Sequence, residues 1–237
     1  MSTENNRAEV GLAPRVMATV ELDPDMMISL ISDDHKTNQL SINDRMQIVD
    51  YARIAATKLY CDGTINSDSG FPIDAYAVAN KLGIIVEQAE IPPDSVTGEK
   101  PAGLIYKPAG LTPPYILVQK GLDARHQLFT ACHELGHYLL WQMTNPSHNE
   151  LDAAWGDVRP DHSVIMGGLT DADDHEDQRP SEFAANTFAH MLLMPDAAVV
   201  ALLQAGNTVS QLADFFSVTK KSVRRRLSYF DIGSQTY

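Results

Sequence analysis

Ala131-Cys132-His133-Glu134-Leu135-Gly136-His137-Tyr138 is the stretch on which the reading of this chain turns. It has the form HExxH, and Leu128, Phe129, Leu135, Leu139, Leu140 and Trp141 around it make an apolar, helix-like run. Positions i and i+4 of a helix share a face, so His133 and His137 can offer two imidazoles to one metal ion. Glu134 sits one residue round, roughly 100° away, and can act on a water at that metal without ligating it. Metal-assisted peptide hydrolysis needs two neutral nitrogen ligands, an open coordination position and a carboxylate base. With 8 histidines in 237 residues, chance alone produces HExxH on the order of once per hundred such chains. The alternative is a helix with two surface histidines and an acid, so the rest of the chain must decide.

A chain of this length that is 44% hydrophobic can bury one good core, with room for a small second module. The net charge of −13 opposes general affinity for nucleic acid or membrane surfaces. Cys61 and Cys132 stand far apart and in no metal or redox spacing, which suits a reducing compartment. Cys132 adjoins His133 but points off its face, and reads as core. The polar start MSTENNRAEV has no apolar segment, and no run approaches a membrane span. The expectation is a soluble, cytoplasmic protein.

Residues 1–40 are acidic and read as a mobile tail, with Met26 to Ile31 as a short docking turn. Asp44 with Gln47 resembles a capping box for a first helix reaching Tyr60. Pro72 opens a second helix and Gly83 closes it. Strands are predicted at Ile84–Glu87, Gly103–Lys107 and Tyr115–Gln119, and the HExxH helix from about Leu122 to Trp141. A sheet edge beside the metal would hold an extended peptide by strand addition. Residues 142–178 form a long insertion without clear periodicity, with nine acids against the single basic Arg159. It reads either as a solvated acidic loop or as a lid or recruiting surface for a basic partner. Pro180 begins a further apolar helix that Pro195 stops, and Asp196 caps the next, over Ala197–Ala205.

HExxH supplies two ligands, and a zinc peptidase needs a third. The extended pattern HExxHxxGxxH is excluded, because Leu140 and Met143 stand where it needs Gly and His. Glu182, the acid in an otherwise apolar helix, is the best candidate, and Asn186 on the same face could orient a ligand. Spacing alone leaves open that Glu182 only suits the helix dipole.

Phe129-Thr130-Ala131-Cys132-His133-Glu134-Leu135-Gly136-His137, followed by Glu182-Phe183-Ala184-Ala185-Asn186-Thr187-Phe188-Ala189-His190-Met191-Leu192-Leu193-Met194-Pro195, resembles the ImmA/IrrE family of zinc metallopeptidases. That family pairs a segment like FTxAHELGH with a downstream ExxANxFAxxLLMP. The resemblance runs over about residues 44–230. It implies an α+β fold, mainly helical and zincin-like of the glutamate-completed (gluzincin) type, with a small three-stranded sheet and C-terminal helix-turn-helix-like helices. It implies one Zn2+ per chain held by His133, His137 and Glu182, Glu134 as catalytic base, and metalloendopeptidase activity. The implied substrate is a helix-turn-helix repressor of the Xre type, cut to release a phage, mobile-element, defence or DNA-damage programme. His190, Tyr106 and Tyr138 are candidates for stabilising the oxyanion. The chain departs from the family at Leu128, where a basic residue is common, at Cys132, where Ala is common, and in its longer insertion.

Domain boundaries follow: the tail over 1–40, the peptidase domain over 41–195, and a helical segment over 196–237. In that last segment Leu212, Ala213, Phe216, Val218 and Val223 fall where a helix-turn-helix places its core. Lys220, Lys221, Arg224, Arg225 and Arg226 make the one concentrated basic patch. DNA contact is one reading. The other is that the helices complete the peptidase fold, their basic face solvated or paired with the acidic insertion. Two rivals to a peptidase therefore stand: a metal-bearing DNA-binding regulator, and a module that sequesters the repressor.

Overall fold

Ser41 opens the first helix in the computed structural model, which describes residues 40–66, 70–93, 100–107, 113–144, 157–158, 164–167 and 180–234. The Ser41 hydroxyl accepts from the Asp44 N–H at 3.2 Å, and the Asp44 carboxylate accepts from the Ser41 N–H at 3.0 Å. This capping box starts α1, Ile42–Cys61. The box expected at Asp44 and Gln47 is thus corrected by three residues: Asp44 is the returning acid, because Ser41 supplies the compact hydroxyl that the cap position favours. Ala52, Ala55 and Ala56 lie on the buried face of α1 and keep it slim where it meets the later helices. Helix α2, Ala75–Lys81, is capped by Asp74, whose side chain accepts from the Ala77 N–H. Pro72 therefore lies ahead of the helix rather than in its first turn.

The three predicted strands are present: β1 (Ile85–Ala89), β2 (Gly103–Lys107) and β3 (Tyr115–Gln119). Strand β3 pairs with β1 in parallel and with β2 antiparallel. Two short strands inside the 142–178 segment, β4 (Asp157–Val158) and β5 (Val164–Gly167), extend this sheet to the order β1-β3-β2-β5-β4. The segment read as lacking clear periodicity thus contributes two strands among its described residues. Strands of two and four residues are too short to show a period, and pairing with a formed sheet sets them instead. As a result β2 is an interior strand, its outer side taken by β5, so β4 and β1 are the strands at the two ends of the order.

The HExxH run forms α3, Ala124–Thr144. Ile105, Ile116 and Val118 are buried under it, alternating along their strands as a half-buried sheet requires. Helix α4, Pro180–Leu193, is apolar and buried almost all round, packed between α1 and α3. Tyr60 of α1 donates its hydroxyl to the Leu192 carbonyl at 2.6 Å.

Helix α5, Asp196–Gln204, follows Pro195, which occupies the cap position without a side-chain bond. The expected cap at Asp196 is corrected: its carboxylate is engaged by Arg226 and by Arg53. Thr208 and Gln211 form a second capping box for α6, Val209–Phe215, and α7 is Lys220–Ser234. Leu212, Ala213, Phe216, Val218 and Val223 are all buried between or beneath these helices. Arg125 of α3 pins their turn, donating to the Val218 carbonyl at 3.0 Å and pairing with Asp214 at 2.7 Å. The tail over 1–39, with its predicted docking turn, lies outside the described residues, as do His148, His162 and His175.

Candidate metal centre

His133 and His137 point their Nε2 atoms at one another, 3.0 Å apart, with rings nearly perpendicular. Both are buried, at 0% and 3% exposed. Glu182, in the first turn of α4, brings Oε2 to 3.3 Å from His133 Nε2 and Oε1 to 3.5 Å from His137 Nε2. Among the described residues these three form a group whose ligand atoms lie within 4.8 Å of one another. Tetrahedral zinc with bonds of about 2.0–2.1 Å needs donor atoms roughly 3.3 Å apart, which these separations approach.

Asn186, one turn after Glu182, decides the histidine tautomer. Its Oδ1 lies 2.9 Å from His133 Nδ1. An amide oxygen only accepts, so Nδ1 carries the proton toward Asn186 and Nε2 is the nitrogen left to ligate a metal. Two imidazole nitrogens and a carboxylate converging from two helices are a donor set that zinc takes readily, and the site fits the ion.

The electrostatics point the same way. Burial presses the Glu182 pKa upward, but the charges and hydrogen bonds of His137 and His133 hold it well below the carboxylate range. Burial presses His133 downward, yet its bond to Glu182 and the nearby Glu182 and Glu134 charges raise it above the ordinary imidazole value. The pocket thus favours positive charge among the three groups, a role that a divalent cation fills.

Two glycines passed over in the sequence reading set this geometry. A Cβ on Gly136 would stand 2.9 Å from Phe188 Cδ1 and 3.2 Å from both Cα and O of Ala185. Its absence lets α3 and α4 cross closely enough for Glu182 to reach both histidines. A Cβ on Gly103 would lie 2.3 Å from Thr130 Cγ2 and 3.1 Å from Glu134 Oε1, so β2 passes directly over the fully buried Glu134. The available signal for Gly136 was its place inside a helix, where glycine costs about 1 kcal/mol relative to alanine and calls for a packing reason.

The remaining candidates separate by location. His190 is buried, with its ring 5.0 Å from Phe129 and Nδ1 3.4 Å from the Tyr229 hydroxyl. Burial, then Arg225 and Arg226, push its pKa down to about 3, so it is neutral. Tyr106 on β2 and Tyr138 on α3 are half-buried. Lys220, Lys221 and Arg224 are exposed and Arg225 is half-buried. Arg226 is 0% exposed, which removes it from the DNA-facing set. Its Nε donates to the Met194 carbonyl at 2.9 Å, and its guanidinium pairs with Asp196.

The family model described as the IrrE N-terminal-like domain matches residues 89–228. The chain belongs to this peptidase family. The matched span takes in all three donors and Glu134, and continues through α6 into α7, while α1 and α2 lie ahead of it. No curated protein matches the chain. No single helix among the described residues is long and apolar enough to cross a membrane. The donor triangle of His133, His137 and Glu182 lies inside the matched span.

Proposed function

We propose that this chain is a zinc-dependent endopeptidase of the cytoplasm. The observation that carries the reading is the convergence of His133, His137 and Glu182, with Glu134 buried next in sequence to the first of them. Zinc held by the three residues would lower the pKa of a coordinated water to about 7 and polarise the scissile carbonyl. Glu134 takes the proton from the attacking water and returns it to the leaving amine. Asn186 keeps His133 in the ligating tautomer. Tyr106 and Tyr138 are the candidates for a further donor to the oxyanion. His190, neutral and packed against Phe129 and Tyr229, is the weaker choice.

The substrate we propose is a helix-turn-helix repressor of the Xre type, supported by the resemblance to ImmA/IrrE peptidases. Cleavage would release a stress, mobile-element or defence programme. The test incubates the purified chain with a purified Xre-type helix-turn-helix repressor, with and without chelator. A discrete cut that chelation prevents supports the peptidase. An intact repressor in a stable complex would select the sequestering module instead.

A second reading, a metal-bearing DNA-binding regulator, draws on the exposed Lys220, Lys221 and Arg224 at the start of α7. Charge reversal at Lys221 and Arg224 would abolish salt-sensitive DNA binding if that surface served it. We assign the peptidase domain to residues 41–195 and the helical segment to residues 196–237.

A further inference from the structure

Tyr229 reaches from α7 into the body of the molecule and is 1% exposed. Its hydroxyl accepts from Thr187 Oγ1 at 3.4 Å and lies 3.4 Å from His190 Nδ1, both on α4. His190 follows Asn186 by one turn on the same face of α4, and the Asn186 side chain holds His133. The His190 ring packs on Phe129 at 5.0 Å, and Phe129, one turn before His133 on α3, lies 6.4 Å from the His133 ring. Two routes, one along the face of α4 to Asn186 and one through the Phe129 ring, thus lead from Tyr229 to the same candidate ligand.

We propose that His190 and Tyr229 are positioning residues of the metal centre, and that α7 is thereby a working part of the site. This rests on the zinc reading above and names two further residues that serve it. Core filling alone is a poor account of position 190, since a leucine of similar size avoids the cost of burying a polar ring. Helix α7 is also held firmly enough to aim a side chain. Arg226 ties it to the Met194 carbonyl just past α4 and to Asp196 at the start of α5, and Arg125 ties the preceding turn to α3. Tyr229 therefore arrives at a defined place beside His190.

The experiment uses the full-length chain loaded with zinc, and separately with cobalt(II), whose visible absorption reports the ligand field. His190→Leu and Tyr229→Phe are compared with Val199→Ala, a buried change on α5. Removal of partners behind a ligating histidine is expected to weaken zinc binding about tenfold for His190→Leu and about threefold for Tyr229→Phe. Both should shift the cobalt bands, whereas Val199→Ala should lower stability and leave metal affinity and spectrum as in the wild type. Unchanged affinity and spectrum in Tyr229→Phe, which keeps the ring and folds most safely, would overturn the proposal. An equal change in Val199→Ala would overturn it as well. A wild-type chain that takes up no zinc would sink the metal reading itself, a result distinct from either.

Discussion

Gly136 stands against Ala185, so near that a Cβ on the glycine would lie 3.2 Å from the alanine's Cα and from its carbonyl oxygen. The two helices that carry the three candidate donors meet at this point. Backbone atoms cannot rotate aside, so Gly136→Ala must push α3 and α4 apart. Overpacking of this kind costs about 1–3 kcal/mol. The larger effect is expected at the metal, because Glu182 recedes from His133 and His137. Competition with a chromophoric chelator should show zinc affinity reduced at least as much as by Asn186→Ala.

Glu134 and Gly103 make a second pair with separable consequences. Glu134→Gln should leave zinc bound and lower the turnover number by about 10²–10⁴-fold, the usual worth of a positioned general base. Gly103→Ala should also retain zinc while lowering turnover, since the new methyl strikes Thr130 and crowds the Glu134 carboxylate. Adding Thr130→Ser removes the Cγ2 that is struck. The double variant should regain stability while its turnover stays low. Full activity in Gly103→Ala would refute this packing argument.

The metal-free protein should respond to pH in a direction opposite to the loaded one. His133, with its pKa raised in the fold, contributes stability that is complete below the unfolded imidazole value of about 6.5 and is lost as pH rises through the raised value. Glu182, depressed in the fold, contributes stability that is complete above the unfolded carboxylate value and is lost only as pH falls through its lowered one. With chelator present, the melting temperature should therefore decline on the alkaline side of neutrality. With zinc it should hold or rise there, because metal competes with protons for the same donors. Parallel melting curves over that window would argue against a shared proton-and-metal site.

Arg226 and Asp196 should differ sharply when mutated. Asp196→Ala leaves a fully buried guanidinium short of its counter-charge, a loss of about 3 kcal/mol or more. Arg226→Met leaves Asp196, which is partly exposed and retains Arg53, so the loss should be smaller. Urea denaturation measures both. The reverse order would mean that the bond from Arg226 to the Met194 carbonyl dominates over the ion pair.

Much of the fold was legible because its signals are local. The apolar period of α3 and α4, the strands β1 to β3 and the prolines around α4 all declare themselves within a dozen residues. The buried set Leu212, Ala213, Phe216, Val218 and Val223 came from spacing alone. Strands β4 and β5 were not legible, since β5 acquires order by pairing with β2 and β4 by pairing with β5. Arg226 was misplaced for a related reason. On composition it belongs with Lys220, Lys221 and Arg224, and only the packing of α7 on α4 turns it inward.

The shared face of His133 and His137, with Glu134 one residue round, was determined by sequence, because one turn of helix puts i and i+4 on one face whatever surrounds it. The motif positions also nominated Glu182. Only the tertiary structure decided that Glu182 closes to 3.3 and 3.5 Å on those imidazoles. That closure depends on a distance between two helices set by Gly136 and Ala185. Interhelix spacing is a property of the packed pair, and neither helix carries it alone.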